Sequence, residues 1–145
     1  MKPTVQILFV CALCALSGCS FEPTSPAELN AAYKNEFGSE PPPSVSNLQV
    51  KEVDIRDSMG KWLRFKTDPS TLANLIAMGF TTSDRSKFVS ASVNPNAPKW
   101  WSPDTDKLTS FYVCPQWRKT YQSSEAVLAH NDDWTIVYFH RSDSY

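Results

Sequence analysis

The run EAVLAHNDDWTIVYFHR at residues 125–141 decides how the chain folds. Two apolar arms flank Asn131-Asp132-Asp133, a cluster of turn formers, so Glu125 to Arg141 predicts a β-hairpin. Alternation in the second arm puts Trp134, Ile136, Tyr138 and His140 on one face and Val137, Phe139 and Arg141 on the other. A lone hairpin is marginal in water and needs further strands to join. Lys61 to Thr67 alternates in the same way, with Leu63 and Phe65 opposite Trp62, Arg64 and Lys66.

Working outward, Leu48, Val50, Val53 and Ile55 alternate with charged residues but change phase once, which suggests a bulged strand. Ser58-Met59-Gly60 is the expected turn into Lys61 to Thr67. Asp68 as N-cap, Pro69 at N1 and Gly79 at C′ bracket a helix over Ser70 to Met78, with Leu72, Leu75 and Ile76 on its buried face and Met78 beside them. Phe80 to Thr82, Lys87 to Val93 and Lys107 to Cys114 are expected strands, and Trp117 to Tyr121 is a connection. Between them Asn94 to Asp106 is a proline-punctuated loop that holds Trp100 and Trp101. The expectation is an α+β fold over 47–145: a small curved antiparallel sheet with one packed helix.

The whole chain has 145 residues, with 14 Lys and Arg against 15 Asp and Glu, a formal charge of −1. A non-specific nucleic-acid binder lives on phosphate neutralisation, so this balance argues against one. Four glycines leave no phosphate-cradling loop, and neither a G-x-S-x-G elbow nor an H-E-x-x-H pair occurs.

The N-terminus reads as an address. Lys2 is a short positive region, Val5 to Leu16 is an apolar stretch too short to span a bilayer, and Ser17 and Gly18 are small. Leu16-Ser17-Gly18-Cys19 resembles the lipobox of bacterial lipoproteins cleaved by signal peptidase II. The resemblance implies cleavage between Gly18 and Cys19, and a lipid anchor on Cys19 whose sulfur carries a diacylglyceryl thioether. Ser20 follows where inner-membrane retention resembles Cys-Asp, which implies a periplasm-facing outer-membrane location in a Gram-negative host. Residues 1–18 are then a lipoprotein signal peptide, and 127 residues remain with 13 basic and 15 acidic side chains. Cys11 and Cys14 leave with the signal, Cys19 is modified, and Cys114 is left without a disulfide partner. One Cys and two His are too few for a structural zinc site.

Residues 19–46 read as a stiff, extended tether because of Pro23, Pro26 and the run Pro41-Pro42-Pro43. A short helix is expected inside it: Ser25 as N-cap, Pro26 at N1, Glu28 at N3 and Gly38 at C′, with Leu29, Tyr33 and Phe37 as one apolar stripe. That stripe fits packing on the chain's own domain, or a partner or membrane surface. The order strand-strand-helix-strand, the motif Pro98-Lys99-Trp100-Trp101-Ser102-Pro103 and the aromatic hairpin together resemble small exported bacterial lipoproteins of unassigned function. The resemblance implies a fold and a compartment and no activity.

No catalytic set stands out. His130 near Asp132 and Asp133, and His140 near Asp143, fit solvated or capping roles as well as general-base chemistry. Asp104 with Asp106 and Asp132 with Asp133 fit turns better than calcium loops, which need more converging oxygens. Trp100 and Trp101 are the candidate binding residues: two aromatics on a loop either plug a core or form a stacking platform. The expected function is a non-enzymatic, membrane-anchored interaction or envelope-associated module without cofactor or metal, with a protein or glycan partner. The alternative is a cell-wall glycan-binding or hydrolytic protein.

Overall fold

A computed structural model describes residues 18–145. The export-signal features of residues 1–17 lie outside the described residues. The decisive hairpin is present: β6 (Ser123–His130) pairs antiparallel with β7 (Val137–Ser144), with Leu128 opposite Phe139 and His130 opposite Val137. Its second arm starts later than expected. Trp134, predicted on the strand, lies in the 131–136 loop with φ +56, where Asn131 Oδ1 accepts from the Ile136 amide at 3.1 Å and Asp133 Oδ1 from the Thr135 hydroxyl at 2.7 Å. Local Asx and hydroxyl bonds out-compete the ladder there.

The remaining strands are β1 (Cys19–Phe21), β2 (Ser46–Ile55), β3 (Ser58–Lys66), β4 (Thr81–Thr82) and β5 (Ser110–Cys114). Among the described residues they form one antiparallel sheet in the order β1-β2-β3-β7-β6-β5-β4, so the fold is α+β as expected. The β2–β3 turn is Arg56-Asp57, with Arg56 at φ +50, and the expected turn residues Ser58, Met59 and Gly60 already belong to β3. Gly60 serves packing instead: a Cβ there would sit 2.8 Å from Cη2 of Trp62, whose ring lies over it.

One packed helix was expected and three are found among the described residues, because the sheet is buried on both faces. On one face Val50, Leu63, Phe65, Ala126, Leu128, Val137 and Phe139 meet helices α1 (Pro26–Phe37) and α2 (Pro69–Ile76). On the other, Val53, Trp62, Val127, Ala129 and Tyr138 meet α3 (Arg85–Ser92) and the loop that follows it. This two-sided burial explains the phase change in β2, since Val50 serves one core and Val53 the other. A register irregularity does occur in β2, nearer its start, between Ser46 and Gln49 where Asn47 has φ +53.

The segment predicted as a strand at Lys87 to Val93 is helix α3. Asp84 caps it by accepting from the Lys87 amide at 2.8 Å, Phe88 and Ser92 are buried, and Val89 and Ala91 pack partly against the same core, so the inward positions do not alternate as in a strand. Helix α2 starts as predicted, with Asp68 accepting from the Thr71 amide at 2.7 Å, but it ends at Ile76 with Ala77 as its cap, short of the expected Met78 and Gly79, and Met78 is exposed.

The tether expectation for 19–46 is corrected. The capping box of Ser25 and Glu28 and the left-handed Gly38 form as predicted, but the Leu29–Tyr33–Phe37 stripe docks on the sheet. Tyr33 is 1% exposed, and Phe37 lies 5.0 Å from Phe139 and 6.2 Å from Trp117, ring centre to ring centre. An apolar stripe left in water loses the burial energy that each large side chain supplies, about 1.5–3 kcal/mol. The prolines form a short brace back to β2: Pro42 accepts from the Val45 amide, and Ser44 hydrogen-bonds Thr71 at 2.7 Å.

Candidate functional site

The proline-punctuated loop positions the two candidate tryptophans differently. Asn94 opens it with turns, its side chain accepting from the Asn96 amide at 2.9 Å and its carbonyl from Ala97 at 3.0 Å. Pro98 then accepts from the Trp101 amide at 2.9 Å and turns that indole inward. Trp101 is 6% exposed, stacked on Phe88 at 5.9 Å and edge-on to Tyr138 at 4.4 Å. It is a core residue of the second face and offers no ring face to a partner. Its Nε1 is buried without a hydrogen-bond partner. Trp100 packs edge-on against it at 6.1 Å and is half-buried.

Trp100 borders a broad concavity of about 690 Å³. Pro95, Ala97 and Lys99 of the same loop line it, Lys51 of β2 forms its floor side, and Ser20 and Glu22 close it from β1 and the residue just beyond. Among the described residues neither Lys51 nor Lys99 is ion-paired. The groove therefore carries two free ammonium groups, one carboxylate, a hydroxyl and an indole.

Cys19 is exposed and is the first residue of β1, paired with Asp54 of β2. Gly18 passes so close to the sheet edge that a Cβ would fall on the Ile55 side chain and 2.8 Å from the Asp54 carbonyl. The residue predicted to be lipidated thus sits one position from the groove wall at Ser20, with no spacer between them.

Solvated or capping histidines were expected; both are buried, each with Nδ1 on a backbone carbonyl. His140 is 2% exposed, its Nδ1 lies 3.0 Å from the Lys61 carbonyl, and its ring packs 4.6 Å from Trp62. Burial pushes its pKa down to about 4, and the adjacent Arg141 charge adds to this against the opposing Lys61 hydrogen bond. Nδ1 therefore carries the proton at neutral pH, and Nε2 is a buried acceptor without a partner. The period of two in β7 places Asp143 on the opposite face, so the two do not form an acid–base pair. His130 ends β6, stacked on Tyr112 at 5.9 Å with Nδ1 2.8 Å from the Asn131 carbonyl. Asp132 and Asp133 turn to Thr109 and Thr135 instead.

The carboxylates of the tryptophan loop are similarly engaged. Asp104 pairs with Arg85 at 2.6 Å, and Asp106 accepts from the Tyr138 hydroxyl. Arg64 lies 3.6 Å from Asp106 and over the Tyr138 ring at 5.7 Å. Burial, then the Asp106 bond, raise the Tyr138 pKa. Cys114 is a buried free thiol. Among the described residues no group of three or more His, Cys, Asp or Glu is placed to hold a metal ion.

Sequence reasoning missed a buried charge knot. Glu36 of α1 is buried and accepts from Arg141 Nη1 at 2.7 Å and from Trp117 Nε1 at 2.6 Å, with Lys61 at 3.4 Å and Arg118 at 3.6 Å. Lys61 also faces Glu52 at 3.4 Å, and Arg141 Nε lies 2.8 Å from Asp143 Oδ2 at an angle outside hydrogen bonding. Ser124 donates to Asp143 at 2.6 Å, although burial still raises that carboxyl's pKa. Three acids thus face three bases. The signal was available: Glu36 falls inside the apolar stripe of α1, three residues after Tyr33, and Arg141 and Asp143 continue the inward face of Val137 and Phe139.

No family model matches the chain, and no curated protein or solved structure is significantly similar to it. No helix of the described residues is long and apolar enough to cross a membrane.

Proposed function

We propose that the chain is a lipoprotein anchored through Cys19, whose domain works as a non-enzymatic interaction module in the envelope. On this reading residues 1–18 are removed and the module faces the periplasm from the outer membrane of a Gram-negative host. The observation that carries it is the lipobox Leu16-Ser17-Gly18-Cys19, and the exposure of Cys19 on an edge strand supports it, because acyl chains there displace no core residue. With more than one acyl chain, each buried methylene contributing about 0.8 kcal/mol, such an anchor is effectively permanent. The interaction site is the groove bordered by Trp100, the one member of the tryptophan pair with an accessible ring.

Radiolabelled palmitate tests the anchor: incorporation into the wild type and none into Cys19→Ala is expected, and equal labelling of both refutes it. A photocrosslinker at Trp100, followed by identification of the captured envelope component, tests the groove. The half-exposed indole beside hydroxyl, carboxylate and ammonium groups also favours a second reading, in which the groove binds a cell-wall glycan strand. Co-sedimentation with purified peptidoglycan that Trp100→Ala abolishes separates that reading from protein capture.

A further inference from the structure

We infer that the Trp100 groove is a docking surface for the phospholipid headgroups of the membrane that holds Cys19, so that the domain lies on the bilayer instead of swinging from it. The inference rests on the lipid anchor proposed above and adds the orientation of the domain.

Distance carries the argument. A flexible tether over 20–46 would let the domain wander by roughly 30 Å. The structure replaces it with β1, paired with β2 from Cys19 onward. At about 3.3 Å per residue, Ser20 lies roughly 3 Å and Glu22 roughly 10 Å of chain beyond the acylated residue. The headgroup layer of one leaflet is about 5–8 Å deep. The groove wall at Ser20 therefore falls within the headgroup layer, and that at Glu22 lies at its outer boundary, whenever β1 stays on the sheet.

The chemistry at that depth matches. Lys51 and Lys99 supply two unpaired ammonium groups for phosphates, and Trp100 supplies the amphipathic ring that favours the interface. On the other face of β1, Phe21 is 53% exposed above α1, so the anchor strand carries an outward aromatic on one side and Trp100 on the other. Glu22 is the one opposing charge in the groove. The opposite end of the sheet, with Lys66 of β3 and the 131–136 loop, then points away from the bilayer, because Lys66 pairs with Ser46 at the far end of β2 from Asp54.

The test uses the full lipidated protein in phosphatidylethanolamine vesicles with a minor share of phosphatidylglycerol. An environment-sensitive fluorophore is placed through Asn96→Cys beside the groove, or through Lys66→Cys at the far end, with buried Cys114 left in place. Nitroxide-headgroup lipid is expected to quench the first strongly and the second little. Lys51→Gln with Lys99→Gln should lower the ratio of docked to undocked molecules by about 30-fold, since each lysine at an anionic surface contributes about fivefold. Equal quenching at the two positions, or quenching near the groove that ignores the lysine changes, overturns the docking inference. Mass spectrometry of the same sample keeps the two readings apart: acyl chains present with equal quenching refutes docking alone, and acyl chains absent refutes the anchor.

Discussion

Trp101→Ala should cost the domain about 3 kcal/mol, whereas its neighbour Trp100→Ala should cost less than about 1 kcal/mol. Truncating a buried Trp typically costs about 3–5 kcal/mol through lost transfer energy and the cavity left behind. Trp101 meets the conditions for that range, being 6% exposed and in contact with the rings of Phe88, Tyr138, Trp100 and His140. One term pulls the cost to the lower end. Its Nε1 is buried without a partner, a penalty of about 1–3 kcal/mol that the native protein already carries and the alanine variant sheds. The same reasoning makes Trp101→Phe milder, near 1 kcal/mol, because it keeps the ring and removes the orphan donor. Urea unfolding followed by circular dichroism gives the three values, and a domain of this size should lose roughly 10–15 °C in Tm for Trp101→Ala. A Trp101→Ala cost below 1 kcal/mol, or one smaller than that of Trp100→Ala, would refute the assignment of Trp101 to the core.

Arg141→Ala should be more damaging than the loss of any exposed ion pair, at about 3–5 kcal/mol, because Glu36 and Asp143 stay buried with less compensation; chemical denaturation measures it, and Lys34→Ala at the exposed Glu40 pair serves as the control expected to change stability by less than about 1 kcal/mol. Stability should fall on acidification between pH 6.5 and about 4. The neutral form of His140 is favoured in the folded state, so the unfolded chain takes up the extra proton in that window. His140→Phe should flatten this part of the stability–pH profile, and an unchanged slope would count against the burial argument. Asp143 works in the opposite direction, since its raised pKa makes the folded protein gain as its carboxyl protonates. Gly60→Ala should destabilise by about 1–3 kcal/mol, because the new Cβ meets the Trp62 ring, and Trp62→Leu in the same chain should relieve part of that cost in a double-mutant cycle.

The elements legible in the sequence are those whose signals are local. The capping box at Ser25, the caps at Asp68 and Gly38, and the alternation of Leu63 and Phe65 against Trp62 and Arg64 all form as read. Errors arose where a global arrangement decides a local pattern. Nothing within Lys87 to Val93 says that Asp84 will cap it. Two-sided burial turns a phase change in β2 into a service to two cores, and it needs more covering helices than a half-exposed sheet. Composition misled at 19–46: prolines suggested a spacer, yet Tyr33 and Phe37 had only the sheet to cover them. For the site, the pairing of Trp100 with Ser20 and Lys51 joins segments far apart in sequence, and no motif marks it. Arg141 could be read from its phase with Val137 and Phe139, but the burial of His140 on the opposite face follows from the central position of β7, which is a property of strand order.

The edges of the sheet bear on how a partner can be engaged. Open sheet edges invite strand addition, and proteins blunt them with short strands and charged side chains. Here β1 spans Cys19–Phe21 and β4 only Thr81–Thr82, and all their side chains are exposed. Each offers too few free amides and carbonyls to template a long partner strand, and acyl chains on Cys19 would crowd the β1 edge further. Strand addition at β1 or β4 is therefore a poor route to affinity. Side-chain recognition at the proposed groove is the alternative, where half-buried Trp100 and the unpaired Lys51 and Lys99 converge. A surface of that composition can discriminate anionic, ring-stacking or interfacial partners while the core behind it, closed by Trp101, stays rigid.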